Sequence, residues 1–447
     1  MGKRSIAVRI VLVAVCICTA MLFGSTSLLA QTDPGVRDGG ASAGGPVQGL
    51  SQFPNLMSAF NTGSNVFGEV EDVPNDGLGP RFNSNSCVSC HIQPAAGGTS
   101  PSLNPLLQFV NSRNQLPPFI QSNGPVREAR FIRNPDGTPD GGVHDLFTIM
   151  GRSDTPSGCN LNQPDFSNAS NIIFRIPTPT FGLGLIEAIP DTTLAQNLAT
   201  STTQAANTGL GGIHGRLNRN GNDGTVTRFG WKAQNKSLLL FSGEAYNVEM
   251  GISNLIFNTE REESVNCSPL APPNSIFTLP AANDAVFDDI NNFANFMRFL
   301  APPAQVPGSL SDSTIVQGSN QFVNIGCAFC HTPNLVTGPS PFPPLATQTI
   351  HPYSDFALHH MGPGLADQVS QGIAGGDEFR SAPLWGLGQR IFFLHDGRTT
   401  NLLQAIAAHS SNANGQFPAS EANAVITRFN NLSVSDRQAI LNFLRTL

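Results

Sequence analysis

Two stretches of the chain place apolar side chains at helical spacing, at matching points of its two halves. Over residues 288–300 the apolar positions include Phe293, Phe296, Met297 and Leu300, and over residues 433–447 they include Ile440, Leu441, Phe443, Leu444 and Leu447. Each set keeps one face of a helix apolar. Ala301-Pro302-Pro303 stops the first helix, and Ser433, with Asp436 three residues on, caps the start of the second. A short helix is expected over residues 53–60. Between about 100 and 285 the pattern is mixed. Residues 171–176 alternate and are rich in β-formers, and residues 225–231 read as a further strand. The turn pairs Asp136-Gly137, Asp140-Gly141 and Asp223-Gly224 separate these pieces.

The N-terminus follows a different pattern. Lys3, Arg4 and Arg9 precede an apolar run from Ile10 to about Phe23, and a small-residue stretch ends at Leu28-Leu29-Ala30. This is the form of a signal peptide, residues 1–30, cleaved after Ala30. Export to the periplasm is therefore expected. No later apolar run is long enough to span a membrane. Residues 31–49, rich in Gly, Ser and Pro, read as a flexible tether.

Composition narrows the class. Only 12% of residues are charged, while Gly numbers 44 and Pro 34. That suits a loop-rich chain wrapped around cofactors. A net charge of −7 gives no support for nucleic-acid binding.

The chemistry-bearing motif occurs twice, as Cys87-Val88-Ser89-Cys90-His91 and Cys327-Ala328-Phe329-Cys330-His331. Cys-x-x-Cys-His is the attachment signature of c-type haem. The two thiols form thioethers to the haem vinyl groups, and the adjacent His is held beneath the iron as an axial ligand. A thioredoxin-like pair would need a βαβ context, which neither copy has. A zinc site would need more paired Cys than the chain offers. Two covalently bound haem c groups are expected. A haem motif followed, at the end of each half, by an amphipathic helix is the plan of a cytochrome c domain. The fold class is therefore mainly α with some β, with two cytochrome c-type domains at 50–303 and 312–447. The first carries a large mixed insertion at about 100–285. Cys159 and Cys267 are left over, as a disulfide or as two free thiols.

The C-terminal half resembles the bacterial di-haem cytochrome c peroxidases and the MauG-type enzymes. The matching residues are Phe379-Arg380-Ser381-Ala382-Pro383-Leu384-Trp385, Phe393-Leu394-His395-Asp396-Gly397-Arg398, and the stretch from Leu402 to His409. Over most of residues 50–447 the chain is similar to the di-haem oxidoreductase branch of that superfamily, labelled thiol oxidoreductase or peroxidase. Phe181-Gly182-Leu183-Gly184-Leu185-Ile186-Glu187, Arg228-Phe229-Gly230-Trp231-Lys232-Ala233, Glu249-Met250-Gly251-Ile252 and Leu358-His359-His360-Met361-Gly362 carry that similarity.

The resemblance implies divided labour. One six-coordinate haem relays electrons from a small redox protein, and the other opens a site for hydrogen peroxide. The relatives place a Met or Tyr iron ligand at a fixed spacing after the His of a His-x-Gly motif. Carried onto this chain, that position is His409, a departure that lowers the potential of the second haem. His359, His360 and Met361 are rivals for a ligand role there. The first haem's sixth ligand is left open among His144, His214, Met150, Met250 and no protein ligand, with His144 favoured.

The relatives also place a Trp between the haems, and Trp231 is the choice here. Glu187, in an apolar stretch where burial would raise its pKa, is the candidate for acid–base work. A calcium ion often lies between the relatives' domains. Asn218-Arg219-Asn220-Gly221-Asn222-Asp223-Gly224 is the oxygen-rich candidate, although it departs from an EF-hand loop. Two other functions stay open: a pure electron-transfer cytochrome, and an oxidase of thiols or another small substrate.

Overall fold

Both expected amphipathic helices are present, and each packs on a partner that leads towards a haem motif. The computed structural model describes residues 31–37, 43–80, 84–109, 117, 119–134, 136–138, 154–161, 166–259, 266–268, 270–275 and 288–447. The signal-peptide expectation, His144 and Met150 lie outside them. In chain order the helices are α1 (Pro54–Phe67), α2 (Val73–Asp76), α3 (Cys87–Cys90), α4 (Leu183–Glu187), α5 (Asp191–Asn207) and α6 (Leu238–Met250). They continue with α7 (Asp289–Phe299), α8 (Ser313–Ile325), α9 (Leu402–Ala407), α10 (Asn423–Asn431) and α11 (Val434–Leu444). The fold is mixed: helices dominate, with small two-stranded antiparallel sheets. These pair β1 (Glu128–Phe131) with β2 (Ile172–Arg175), β3 (Leu335–Val336) with β4 (Thr349–Ile350), and β5 (Leu358–His360) with β6 (Glu378–Arg380). Among the described residues no helix is long and apolar enough to cross a membrane.

Local chemistry sets the helix ends. Side chains of Ser237, Asp288, Asp312, Asn401 and Ser433 accept the first free N–H groups of α6, α7, α8, α9 and α11. Gly251 and Gly326 close α6 and α8 in the left-handed conformation that favours glycine.

The two halves repeat in detail. α1 crosses α7 at Gly63, where a β-carbon would collide with Asn292 O and crowd Phe296; α8 crosses α11 at Gly318, where it would collide with Ala439 O and crowd Phe443. One turn on, Phe67 packs on Phe293, Phe296 and His91, and Phe322 packs on Phe443 and His331. The segments are Gly63-Ser64-Asn65-Val66-Phe67 and Gly318-Ser319-Asn320-Gln321-Phe322.

A second repeat follows. Phe174-Arg175 ends β2 and Phe379-Arg380 ends β6. After each comes a turn, Phe181-Gly182-Leu183-Gly184 or Trp385-Gly386-Leu387-Gly388. Gly184 abuts the carbonyl of Arg298 as Gly388 abuts that of Arg445.

Residues 31–447 form one compact unit. One core gathers around α1, α4, α6 and α7, the other around α8, α9, α10 and α11. Leu335, Leu345, Ile350, Phe356 and Trp385 of the second half pack into the first core.

Two expectations are corrected. The tether expected over residues 31–49 is strapped down where it is described. Asp33 forms a two-pronged ion pair with buried Arg445 at 2.7 Å, Arg37 N donates to Gly388 O, and Val47 N donates to Phe299 O. The strand expected over residues 225–231 is a looped segment with isolated bridges at Val226 and Phe229, because Gly230 takes a φ of 85° and turns the chain. The strand expected at 171–176 is β2. Cys159 and Cys267 are disulfide-bonded.

Candidate redox centre

Each Cys-x-x-Cys-His motif lines a cavity. The first cavity has Cys87, Cys90 and His91 on one side and α6 as a wall, with Phe241, Tyr246 and Glu249 facing in. The second has Cys327, Cys330 and His331 opposed by α9 and α10. Helical spacing supplies both walls, since residues four and eight apart share a face.

The imidazoles are oriented alike. His91 Nδ1 lies 3.1 Å from Gly98 O, and His331 Nδ1 lies 3.0 Å from Tyr353 O. These bonds fix the tautomer with Nδ1 donating, which leaves Nε2 as the free ligand atom. Burial, with a further push from His409, takes His331 down to about 4, so it stays neutral as a ligand must.

All four thiols are pushed up from their ordinary value by burial, Cys90 and Cys327 to about 12. A dithiol redox pair needs the opposite shift.

What stands across from each His differs. In the second cavity His409 lines the wall, its Nδ1 2.8 Å from Ala405 O, so its Nε2 is also free. In the first cavity Glu249 approaches, with Oε2 3.8 Å from His91 Nε2. Among the described residues no other His lines that cavity.

The linings fit an anionic macrocycle. Arg380 and Arg390, each brought down to about 10 by burial, line the second cavity. Their hydrogen bonds run to the carbonyls of Gly230, Ser381 and Pro383, and among the described residues neither makes an ion pair. Such cations suit haem propionates. In the first cavity Ser84 Oγ, Ser86 Oγ, Arg175 Nε and Gln234 Oε1 are buried lining atoms with no hydrogen-bond partner among the described residues. Buried polar groups of that kind are satisfied by a polar ligand or by ordered water.

Trp231 lines both cavities, with its indole N–H bonded to Ile176 O at 3.1 Å. Beside it lies a buried charge cluster. Asp367 accepts from Arg175 at 2.8 Å and from Lys232 at 2.9 Å, and Lys232 also donates to Gly375 O and Glu378 O. Lys232 stands 4.1 Å over the Phe379 ring, which stacks on His395 at 4.3 Å.

Other expected site residues fall elsewhere. Glu187 lines neither cavity: it accepts Leu238 N at 2.8 Å and pairs with Arg298 at 3.0 Å, so it ties α4 to α6 and α7. This corrects its expected acid–base role. His214 is exposed, bonded to Gly212 O, and lines neither cavity. Met250 lines the first cavity, with its sulfur 3.7 Å from Cys87 Sγ, and Met361 lines the second.

His359 is held at both ring nitrogens, by Glu421 at 2.8 Å and Asp355 at 3.0 Å. Burial opposes its charge, yet Cys330 and Asp355 keep its pKa well above the ordinary value. Such an imidazolium has no lone pair for iron. His360 is committed to Asp377 at 3.0 Å.

The candidate calcium loop is a turn. Asp223 pairs with Lys236, Asn220 Oδ1 accepts Asn222 N, and Asn218 donates to Lys232 O and Gln371 O. Among the described residues no group of three or more His, Cys, Asp or Glu is arranged to hold a metal ion.

Arg175, Arg390, Glu249, Tyr246, Lys232 and Asp367 were given no role in the sequence reading. The repeated Phe-Arg pair was the available signal for Arg175 and Arg380.

No curated protein matches this chain. Among solved structures, a MauG-like protein associated with microbial copper homeostasis is similar at 16% identity and a TM-score of 0.25. That likeness covers 36% of this chain and 52% of that one, about half its length. A family model described as "Di-haem oxidoreductase, putative peroxidase" matches residues 144–447, beyond the first haem motif and through the second. The protein therefore belongs to this family of di-haem redox enzymes.

Proposed function

We propose that the protein is an exported, periplasmic di-haem c-type cytochrome that reduces hydrogen peroxide at haem 1. In this reading electrons come from a small redox protein and are relayed through haem 2. The two cytochrome c-type domains are residues 50–303 and 312–447; the two glycine-crossed helix pairs, α1 with α7 and α8 with α11, support that division. Cys87 and Cys90 carry haem 1 with His91 as its ligand; Cys327 and Cys330 carry haem 2 with His331 and His409. Bound there, the haems supply one-electron redox chemistry and, at haem 1, a place for the oxidant.

The observation that carries the reading is the asymmetry opposite the two motif histidines. His409 faces one cavity and Glu249 the other. The second site offers two imidazoles, whereas the first presents a carboxylate. Glu249 is placed to bind the peroxide and to move its protons; two protons and two electrons turn one hydrogen peroxide into two waters. Trp231, lining both cavities, bridges the electron path. Arg380 and Arg390 would hold the propionates of haem 2, and Ser84, Ser86 and Arg175 those of haem 1.

The test is an EPR spectrum of the haem-loaded protein, as isolated and after one electron per two haems. A high-spin ferric signal in either state is expected, together with one low-spin signal that His409→Ala removes. Two low-spin signals in both states would overturn the reading. An electron carrier, with His144 as the further ligand, would then replace it.

A further inference from the structure

Behind the first cavity lies a polar cluster that the reaction above does not use. Tyr246 is buried on α6 with its ring on the cavity lining and packed edge-on to Phe293 at 5.0 Å. Its hydroxyl points into a pair of carboxyls, 3.1 Å from Glu71 Oε1 and 3.3 Å from Asp289 Oδ2. Ser275 Oγ donates to the same Asp289 oxygen at 2.9 Å.

One hydroxyl donates one hydrogen bond. A phenol between two carboxyls is satisfied when it donates to one and accepts from the other, protonated one. Glu71 is the protonated partner: burial and the neighbouring Asp76 push it up to about 8. Asp289 is left to accept the phenol's hydrogen. Burial raises its pKa too, with further contributions from Asp288 and Asp76, which makes its carboxylate a stronger base than usual. Glu69 and Cys87 are the other titratable groups near the cluster. The chain has only two tyrosines. The other, Tyr353, is packed among Phe322 and Phe443.

We propose that Tyr246 is a redox-active residue of the first site, giving one electron to oxidised haem 1 and its phenolic proton to the Asp289 carboxylate. The phenol O–H bond breaks and a carboxyl O–H bond forms on Asp289. Hydrogen peroxide is the oxidant: its reduction to two waters takes two electrons, of which Tyr246 would supply one and the donor protein, through haem 2, the other. Glu71 keeps its hydrogen bond to the phenoxyl oxygen, and an electron from the donor protein, with the proton returning from Asp289, later restores the phenol. This rests on the reading of the first cavity as the peroxide site.

The haem-loaded wild-type protein is mixed with hydrogen peroxide, freeze-quenched and examined by EPR while haem oxidation is followed optically. An organic radical is expected whose hyperfine structure narrows when the protein carries ring-deuterated tyrosine. It should be lost in Tyr246→Phe, weakened in Asp289→Asn and retained in Tyr353→Phe. Haem content and resting spectra show whether each variant is assembled, and the labelled wild type tests for a tyrosyl radical without any variant. Haem oxidation with no radical, or with a radical indifferent to deuteration or to Tyr246→Phe, overturns the assignment. Haem that does not respond to peroxide overturns the peroxidase reading, and the Tyr246 assignment falls with it.

Discussion

At the scale of single residues, the molecule departs from ordinary chemistry where carboxyls are buried close together. Glu71 is 6% exposed and sits near 8 instead of 4.5, through burial and the charge of Asp76. A carboxyl raised in this way binds its proton more tightly folded than unfolded. Its contribution to stability is full below about pH 4.5 and is lost as pH rises through about 8. At about 1.4 kcal/mol per unit, the change amounts to a few kcal/mol. Denaturant midpoints of the wild type at about pH 5 and about pH 8.5 should therefore differ, with the acid condition more stable at this site. Glu71→Gln should show a smaller loss, because its amide carries no titrating proton. An equal loss in both proteins would mean that Glu71 is ionised throughout.

At the scale of elements, close helix crossing is what sets each haem motif in place. α1 and α8 approach their partners so closely that Gly63 and Gly318 have backbone where a β-carbon would stand. Alanine is the better helix former by about 1 kcal/mol, but the collision is with carbonyls that cannot swing aside. Gly63→Ala and Gly318→Ala should each lose about 1–3 kcal/mol, read by denaturant unfolding. Gly68→Ala, which has only ordinary contacts and a φ of −95°, should stay within about 0.5 kcal/mol. The same elements show what a sequence discloses. The Cys-x-x-Cys-His motifs and the helices around Phe296 and Phe443 were legible because a motif, a cap and a 3.6-residue period are local. The role of Glu187 was not, because its partner Arg298 arrives from α7, 111 residues away. The segment around Asp33 read as a tether for the same reason, with its partner Arg445 near the far end of the chain. Glu249 and Tyr246 were given no role because helical spacing shows which side chains share a face, and only packing shows which face meets a cavity.

At the scale of the whole molecule, the two halves meet at a junction built from buried charge. Asp367 of the second half takes Arg175 and Lys232 from the first, and Lys232 is fully buried. Removing the carboxylate of such a cluster leaves its two buried cations uncompensated. Asp367→Asn should cost about 3–5 kcal/mol in unfolding free energy. Trp231, next along the chain, lines both cavities, so the junction that holds the halves together also holds the residue proposed to bridge them. Structure and electron path can be separated by experiment. Trp231→Phe keeps an aromatic ring there and removes the hydrogen bond to Ile176 O, whose worth is about 1 kcal/mol. If Trp231 carries the electron, this variant should unfold close to the wild type and give the same resting haem spectra. Electron equilibration between the haems after rapid half-reduction should then be slowed. An unchanged rate in a well-folded Trp231→Phe protein would move the path elsewhere. The next segment to test would be Phe379 and His395, stacked under Lys232 on the wall of the second cavity.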